Sequence, residues 1–304
     1  MVPRQPVVVG APPPPVDLKP ELMRVLITGA GGQVGHELVT AFDDHDVIAA
    51  DRAALDVTDR SAVLAAVTTL RPDAIVHAAA WTAVDACEGD PDRAFLVNAL
   101  ATRHIGEAAR RVGAHLVAFS TDYVFDGDAP DPYTEWDRPN PRSVYGRSKL
   151  AGELELAAVP DATILRISWV CGRHGANMVK TILRLTAEHP TLRFVDDQRG
   201  YPTFADDLAG MTRRLVAERR PGRFPVTNQG AVTWFEFARA VLEAAGADPA
   251  RVEPITTADL DPPRPAPRPA NSMLDNAALR LSGVPLLPHY RESLDRLIRD
   301  LTAP

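Results

Sequence analysis

The stretch VLITGAGGQVG, from Val25 to Gly35, constrains this chain more than any other. It sets Gly29, Gly32 and Gly35 in a GxxGxxG spacing between a β-branched run and a helical one. Glycine is needed where a tight turn adopts a left-handed backbone, and where backbone N–H groups approach a pyrophosphate at the positive end of a helix. A glycine triplet alone can also be a plain turn. Here the strand before it, the helix after it and an acid ending the next strand all stand where a dinucleotide-binding unit requires them.

From Arg24 the chain alternates short β-branched runs with helical patterns, the signature of a parallel sheet covered on both faces. Strands are predicted over Arg24–Thr28, Asp46–Asp51, Ala74–His77, His115–Ser120 and Thr163–Ile167. Helices are predicted over Val34–Phe42, Asp59–Leu70, Pro91–Val112 and Ser143–Ala158, from apolar residues at three-to-four spacing. The expected fold class is α/β, a Rossmann-type doubly wound parallel sheet of seven strands with its sites at the strands' carboxyl ends. After Ile167 the alternation loosens into short helices such as Trp234–Ala245 and Tyr290–Leu301 and the proline-rich segment DPPRPAPRPANS, read as an ordered loop folding over a ligand. The expected organisation is a disordered proline-rich extension over 1–22, a dinucleotide-binding domain over 23–168, and a smaller mixed α/β, mainly substrate-binding part over 169–304. Some segments of that last part return to the core of the first.

Of 304 residues, 33 are Lys or Arg and 40 are Asp or Glu, a formal net charge of −7, so no basic surface invites nucleic acid or anionic membrane. No apolar run is long enough to span a bilayer. The two cysteines, Cys87 and Cys171, show neither CxxC nor His/Cys ligand spacing; buried inert thiols, a reducing cytoplasm and no metal centre are expected.

Asp51, ending the second strand, suits the adenosine ribose of NAD, whereas its neighbour Arg52 suits the 2′-phosphate of NADP. Either cofactor, NADPH or NADH, is therefore expected. Asp56 and Val57 open the polar turn DVTD, where a carboxylate can meet the adenine amino group or cap the following helix. Ala78, Ala79 and Ala80 after the third strand let backbone pass close to a cofactor, or simply pack closely. In SVYGRSKLAGE, Tyr145 and Lys149 stand one helical turn apart on one face, either as a surface pair or as a proton donor and the ammonium that lowers its pKa. The fourth strand ends in FSTDYVFDG, delivering Ser120 and Thr121 to the same edge, where a hydroxyl can bond a substrate carbonyl or the phenol.

With the glycine loop, STDYVFDG and YGRSK together, the chain resembles the extended short-chain dehydrogenase/reductase superfamily. AAAWTAVDACE, VNAL, LRISWV, DDQRGYPT and PRPANSMLD make it similar, from about Met23 onward, to the dTDP-4-dehydrorhamnose reductases. That resemblance implies hydride reduction of a 4-keto dTDP-sugar, the last step of dTDP-L-rhamnose synthesis. Tyr145 would be the general acid, Lys149 its tuner and a ribose ligand, and Thr121 the pKa-adjusting hydroxyl. Gly32, Gln33 and Val34 would meet the pyrophosphate, and Ala80 to Thr82 the inner cofactor. Thr82, Val84, Asp122, Tyr123, Phe125 and Trp169 would lie against the sugar nucleotide. Arg264 and Arg268 would bind its diphosphate, if they are not merely solvated arginines. Some members form magnesium-bridged dimers through glutamates; Glu37 matches one such position and the others are not matched, so a homodimer is expected without a metal. The alternatives are another sugar-nucleotide reductase or epimerase, or a non-catalytic regulatory subunit that would have lost Tyr145, Lys149 or Thr121.

Overall fold

The computed structural model describes residues 22–303. The predicted extension over 1–22 therefore lies, Leu22 apart, outside the described residues. The predicted strands form with ends shifted by at most one residue: β1 (Arg24–Thr28), β2 (Asp46–Ala50), β3 (Ala74–His77), β4 (His115–Thr121) and β5 (Ala162–Ile167). With a sixth strand, Gly222–Pro225, they make one parallel sheet in the order β2–β1–β3–β4–β5–sixth. These strands are continuous apolar runs because both faces of a parallel sheet are covered.

Six strands, not the expected seven, form this sheet among the described residues; the other short strands after Ile167 pair among themselves in three two-stranded sheets. After β2 the Asp51 carboxylate accepts from the N–H groups of Ala53 and Ala54, and the Asp56 carboxylate from that of Thr58. Such side-chain turns shape the loop that follows β2.

Helices α1 (Gln33–Ala41) and α8 (Ala205–Ala217) cover one face through Leu38, Phe42, Leu208, Met211 and Leu215. Helices α2 (Arg60–Leu70) and α5 (Ala101–Val112) cover the other through Val63, Val67, Ile105 and Ala109. Asp59 caps α2 by accepting from Ser61 and Ala62, which leaves Asp56 out of that role. The single helix predicted over Pro91–Val112 is divided. A short α3 (Val84–Gly89) precedes α4 (Pro91–Phe95), then a π-helical turn over Leu96–Leu100 leads into α5. At the turn, the Asn98 side chain bonds both the N–H and the carbonyl of Trp81 and also the Ser148 hydroxyl. A π-turn of this kind commonly marks a functional site.

A separate apolar core joins α7 (Met178–Glu188), α9 (Trp234–Ala244) and α11 (Tyr290–Thr302) through Val179, Ile182, Phe237, Val241, Leu294 and Ile298. Thr233 and Glu236 form a reciprocal cap that starts α9. The short α10 (Ala277–Leu281) returns to the sheet, burying Leu279 against the α1–α8 face.

Candidate active site

The chain steps outward from β1 to β2 and then back to β3 on the other side of β1, so a crevice opens at the carboxyl ends of β1 and β3. It holds a cleft of about 580 Å³ lined by Gly29, Gly31, Gly32, Asp51, Arg52, Leu55, Asp56, Val57, Thr58, Ala78 to Trp81, Arg93 and Val97. Gly29 has φ +70°, and a Cβ on it would lie 2.6 Å from the Ala79 nitrogen. Helix α1 begins at this point with Gly32 as a cap that has no side-chain acceptor, so its first N–H groups face the cleft without a protein partner from the cap. A turn kept open by absent side chains, aimed at unsatisfied donors and ending at Asp51 and Arg52, fits a dinucleotide. Gly29→Ala is expected to weaken NADPH binding by at least about tenfold, through left-handed strain and the clash with Ala79. An unchanged dissociation constant in a fluorescence titration would contradict this assignment.

Not every residue expected at the cofactor lines the cleft. The Gln33 side chain turns away to donate to the Val170 carbonyl and accept from Asn177, and Val34 packs into the α1–α8 core. Both can contribute only their backbone N–H groups. Gly35 supports the loop from behind, where a Cβ would collide with the Gly29 carbonyl. Of the two polar turns, Asp56 keeps a carboxyl held below the usual range by Thr58, whose hydroxyl and N–H both donate to it. Trp81 lines the cleft as expected of the Ala80–Thr82 stretch, whereas Arg93 and Val97 join it from outside the expected set. Arg93 lies 4.4 Å above the Trp81 ring, a contact made by residues 12 apart on different elements, and helix periodicity alone does not reveal it.

Tyr145 and Lys149 lie on α6 (Val144–Glu155), started by the Ser143 hydroxyl accepting from the Gly146 N–H. The helix is drawn against the π-turn because Gly152 has no Cβ, which would otherwise strike the Asn98 carbonyl. Both functional side chains are 8% exposed at the residue level. Tyr145 packs with Trp81, Val84, Cys87 and Tyr123, the last ring meeting it edge-on at 5.6 Å. Burial pushes the phenol well above its ordinary pKa, and a hydrogen bond with Thr121 opposes that shift. The expected downward pull of Lys149 on the phenol is not found. Its charge is felt instead by the buried His77 imidazole of β3. Burial lowers the ammonium to about 8, with Glu153 opposing.

Thr121 ends β4, donating to Asp122 at 2.8 Å and accepting from the Tyr123 N–H at 3.2 Å. Asp122 is 2% exposed, and its other carboxylate oxygen has no partner. Burial drives this acid up to about 6, against the hydrogen bond from Thr121. A phenol, a hydroxyl and an underbonded carboxylate therefore form one line, able to bond a carbonyl and an adjacent hydroxyl of a polar ligand.

The other expected ligand contacts divide. Thr82 is exposed at the rim, and Val84 is half-buried beside Tyr145. Trp169 follows β5 with φ 46°, and its ring stacks on Trp234 at 3.6 Å. Phe125 does not reach the site: it is a core residue, stacked on Tyr133 at 4.2 Å beneath the Arg166 guanidinium. Arg264 is exposed on the proline-rich loop, as a free phosphate binder would be. Arg268 is not a solvated arginine, since it makes a bidentate pair with Asp85 of α3 at 2.6 and 2.7 Å. That pair ties the loop to α3, whose Val84 packs beside Tyr145, and a diphosphate would have to share or displace Asp85. Glu37, on the far side of α1, is buried and paired with Arg173. Cys87 and Cys171 are buried free thiols, and burial pushes Cys171 up to about 12. Among the described residues no helix is long and apolar enough to cross a membrane.

The family model for the RmlD substrate binding domain matches residues 23–303. The dTDP-4-dehydrorhamnose reductase of Streptomyces griseus is 43% identical over 280 residues, spanning 89% of this chain and 91% of that protein. A probable dTDP-4,6-dihydroxy-2-methyloxan-3-one 4-ketoreductase of Streptomyces antibioticus is 44% identical over 288 residues, 92% of this chain and 96% of that protein. Among solved structures, the dTDP-4-dehydrorhamnose reductase of Bacillus anthracis in complex with NADP has a TM-score of 0.88 at 38% identity, covering 92% of this chain and 99% of that one.

Proposed function

The chain belongs to the RmlD substrate binding domain family, and on that premise we propose that it reduces the C4 ketone of dTDP-4-dehydro-β-L-rhamnose to dTDP-L-rhamnose with NADPH or NADH. The observation that carries this reading is the Tyr145 phenol, kept protonated by burial, in one line with Thr121 and the underbonded Asp122. A dinucleotide held at the Gly29–Gly35 turn and by Lys149 would supply the hydride for the carbonyl carbon. Tyr145 donates its proton to the carbonyl oxygen, the Thr121 hydroxyl turns from Asp122 to donate to that same oxygen, and Asp122, so released, accepts from a neighbouring sugar hydroxyl. Lys149 holds the nicotinamide ribose and places positive charge beside the developing oxyanion. The open cleft beside β1 and β3 takes the dinucleotide; Arg264 and the half-buried Trp169 take the sugar nucleotide. In this division residues 23–168 hold the cofactor and residues 169–304 mainly the substrate.

The test is NADPH and NADH oxidation with dTDP-4-dehydro-β-L-rhamnose generated in situ. Consumption no faster than without the sugar would overturn the reading. The similarity to the Streptomyces antibioticus ketoreductase favours a second reading, reduction of another dTDP-4-keto-6-deoxy sugar by the same residues. Parallel arms with the unepimerised 4-keto sugar, and with UDP- and GDP-linked ketones, distinguish them by kcat/KM.

The expected compartment is the cytoplasm, where both reduced cofactors are maintained, and a secreted active form would contradict it. A homodimer is supported by Phe95, Leu96 and Leu100 around the π-turn, exposed despite being large and apolar. Sedimentation as a monomer at micromolar concentration would exclude it.

A further inference from the structure

One turn beyond Lys149 on the same face of α6 stands Glu153, so that Tyr145, Lys149 and Glu153 form a row at i, i+4 and i+8. Glu153 is buried and receives three hydrogen bonds. Arg166 of β5 donates Nε to Oε1 at 2.9 Å and Nη2 to Oε2 at 2.7 Å, and the Ser120 hydroxyl donates to Oε1 at 2.5 Å. Arg166 is fully buried, with Nη1 unpartnered and its guanidinium 5.0 Å from the centre of the Phe125 ring. Two ions withdrawn from water in this way cost several kcal/mol each before their attraction is counted, and an apolar pair of similar volume is often at least as stable. Joining a helix to a strand does not by itself require ions.

The environment of Lys149 supplies a reason for them. Lys149, Glu153, Ser120, Asn98 and Thr102 border a small cavity of about 10 Å³, whereas Arg166 does not border it. The carboxylate is thus the half of the pair that faces the ammonium. His77 of β3 also faces Lys149, but burial and the Lys149 charge push its imidazole down to about 3, so it is neutral and held by Thr28 and Thr102. The π-turn and α5 present the uncharged Asn98 and Thr102, and β4 presents Ser120. Among the described residues Glu153 is the one anion acting on this ammonium, and no ion pair within 4.0 Å joins them.

We propose that Glu153, clamped by Arg166 and Ser120, is a positioning residue for the reduction: its carboxylate stands one turn from the buried Lys149 on the same face of α6 as that side chain's counter-charge, and Arg166 on its Phe125 floor holds the carboxylate in place. Lys149 without this anion would pass to the neutral amine at lower pH, because burial already brings its pKa down to about 8. The proposal rests on the assignment of Lys149 to the reaction above.

Its test is the pH profile of kcat/KM for the full chain, with NADPH and the 4-keto sugar. In Glu153→Gln the alkaline limb is expected to move at least about one pH unit toward acid relative to the wild type, a tenfold change in the Lys149 proton equilibrium. Since Gln leaves Arg166 buried and unpaired, Glu153→Gln/Arg166→Met is measured alongside and read where the single variant does not fold. It removes both charges together and is expected to show the same shift. Glu153→Asp, which keeps the charge, is expected to restore most of it. A folded Glu153→Gln or double variant with the wild-type limb would overturn the proposal and leave the pair a structural tie. Absence of turnover in the wild type would instead strike the proposed reaction, so the two failures are distinguishable.

Discussion

Replacing Tyr145 by Phe is expected to lower kcat by about 10²–10⁴-fold while the NADPH dissociation constant stays within about twofold. The substitution removes one oxygen and leaves the ring, which packs with Val84, Cys87 and Val144 and meets Tyr123 edge-on. Helix α6 is capped by Ser143 and set by glycine contacts that the change does not touch, so a loss of rate would come from the missing proton donor. The phenol's raised pKa gives the direction: at neutral pH it is an acid in hand, and reduction of a ketone consumes one proton. Steady-state rates with a dTDP-4-keto sugar, and cofactor titration by fluorescence, check both halves. Turnover at the wild-type level would remove Tyr145 from the reaction.

Lys149→Met is expected to differ in kind, reducing kcat by about 10²-fold or more and also weakening NADPH, since the ammonium is assigned both to the oxyanion and to the ribose. The wild type carries a related pH signature. Burial lowers Lys149 to about 8, so the charged form is present below that pH and is lost as pH rises through it. Activity is accordingly expected to hold toward neutrality and to fall on the alkaline side with an apparent pKa near 8. A rate constant across that range, or an unaltered cofactor affinity in Lys149→Met, would contradict the role. The two variants separate the functions, because Tyr145→Phe moves kcat alone and Lys149→Met moves both quantities.

Much of the framework was legible from short-range physics. Strands β1 and β3 were predicted to the residue, because continuous apolar runs bounded by polar residues encode burial on both faces locally. The glycine loop was legible for a similar reason: the tight turn needs a left-handed backbone at Gly29, φ +70°, which the local sequence signals by itself, while the approach of Ala79 comes from the fold. The i, i+4 spacing of Tyr145 and Lys149 followed from helix geometry.

What needed the tertiary structure was every property that depends on a distant partner. Periodicity places Lys149 on a helix face but does not reveal its neighbours His77 and Glu153, or the burial that lowers the ammonium to about 8. Arg268 had the composition of a phosphate binder, yet Asp85, 183 residues away in the chain, takes its guanidinium. Phe125 sits in a stretch that reaches the ligand edge at Thr121 and Asp122, and it turns under Arg166 into the core. The sequence by itself determined which elements form, where the dinucleotide turn lies and which helix face carries the acid and the ammonium, since bonded geometry and the local apolar period decide those. The charge environment of that face and the partners of the arginines came from the fold instead, since burial and Coulomb interactions depend on distances that the chain sets when it folds.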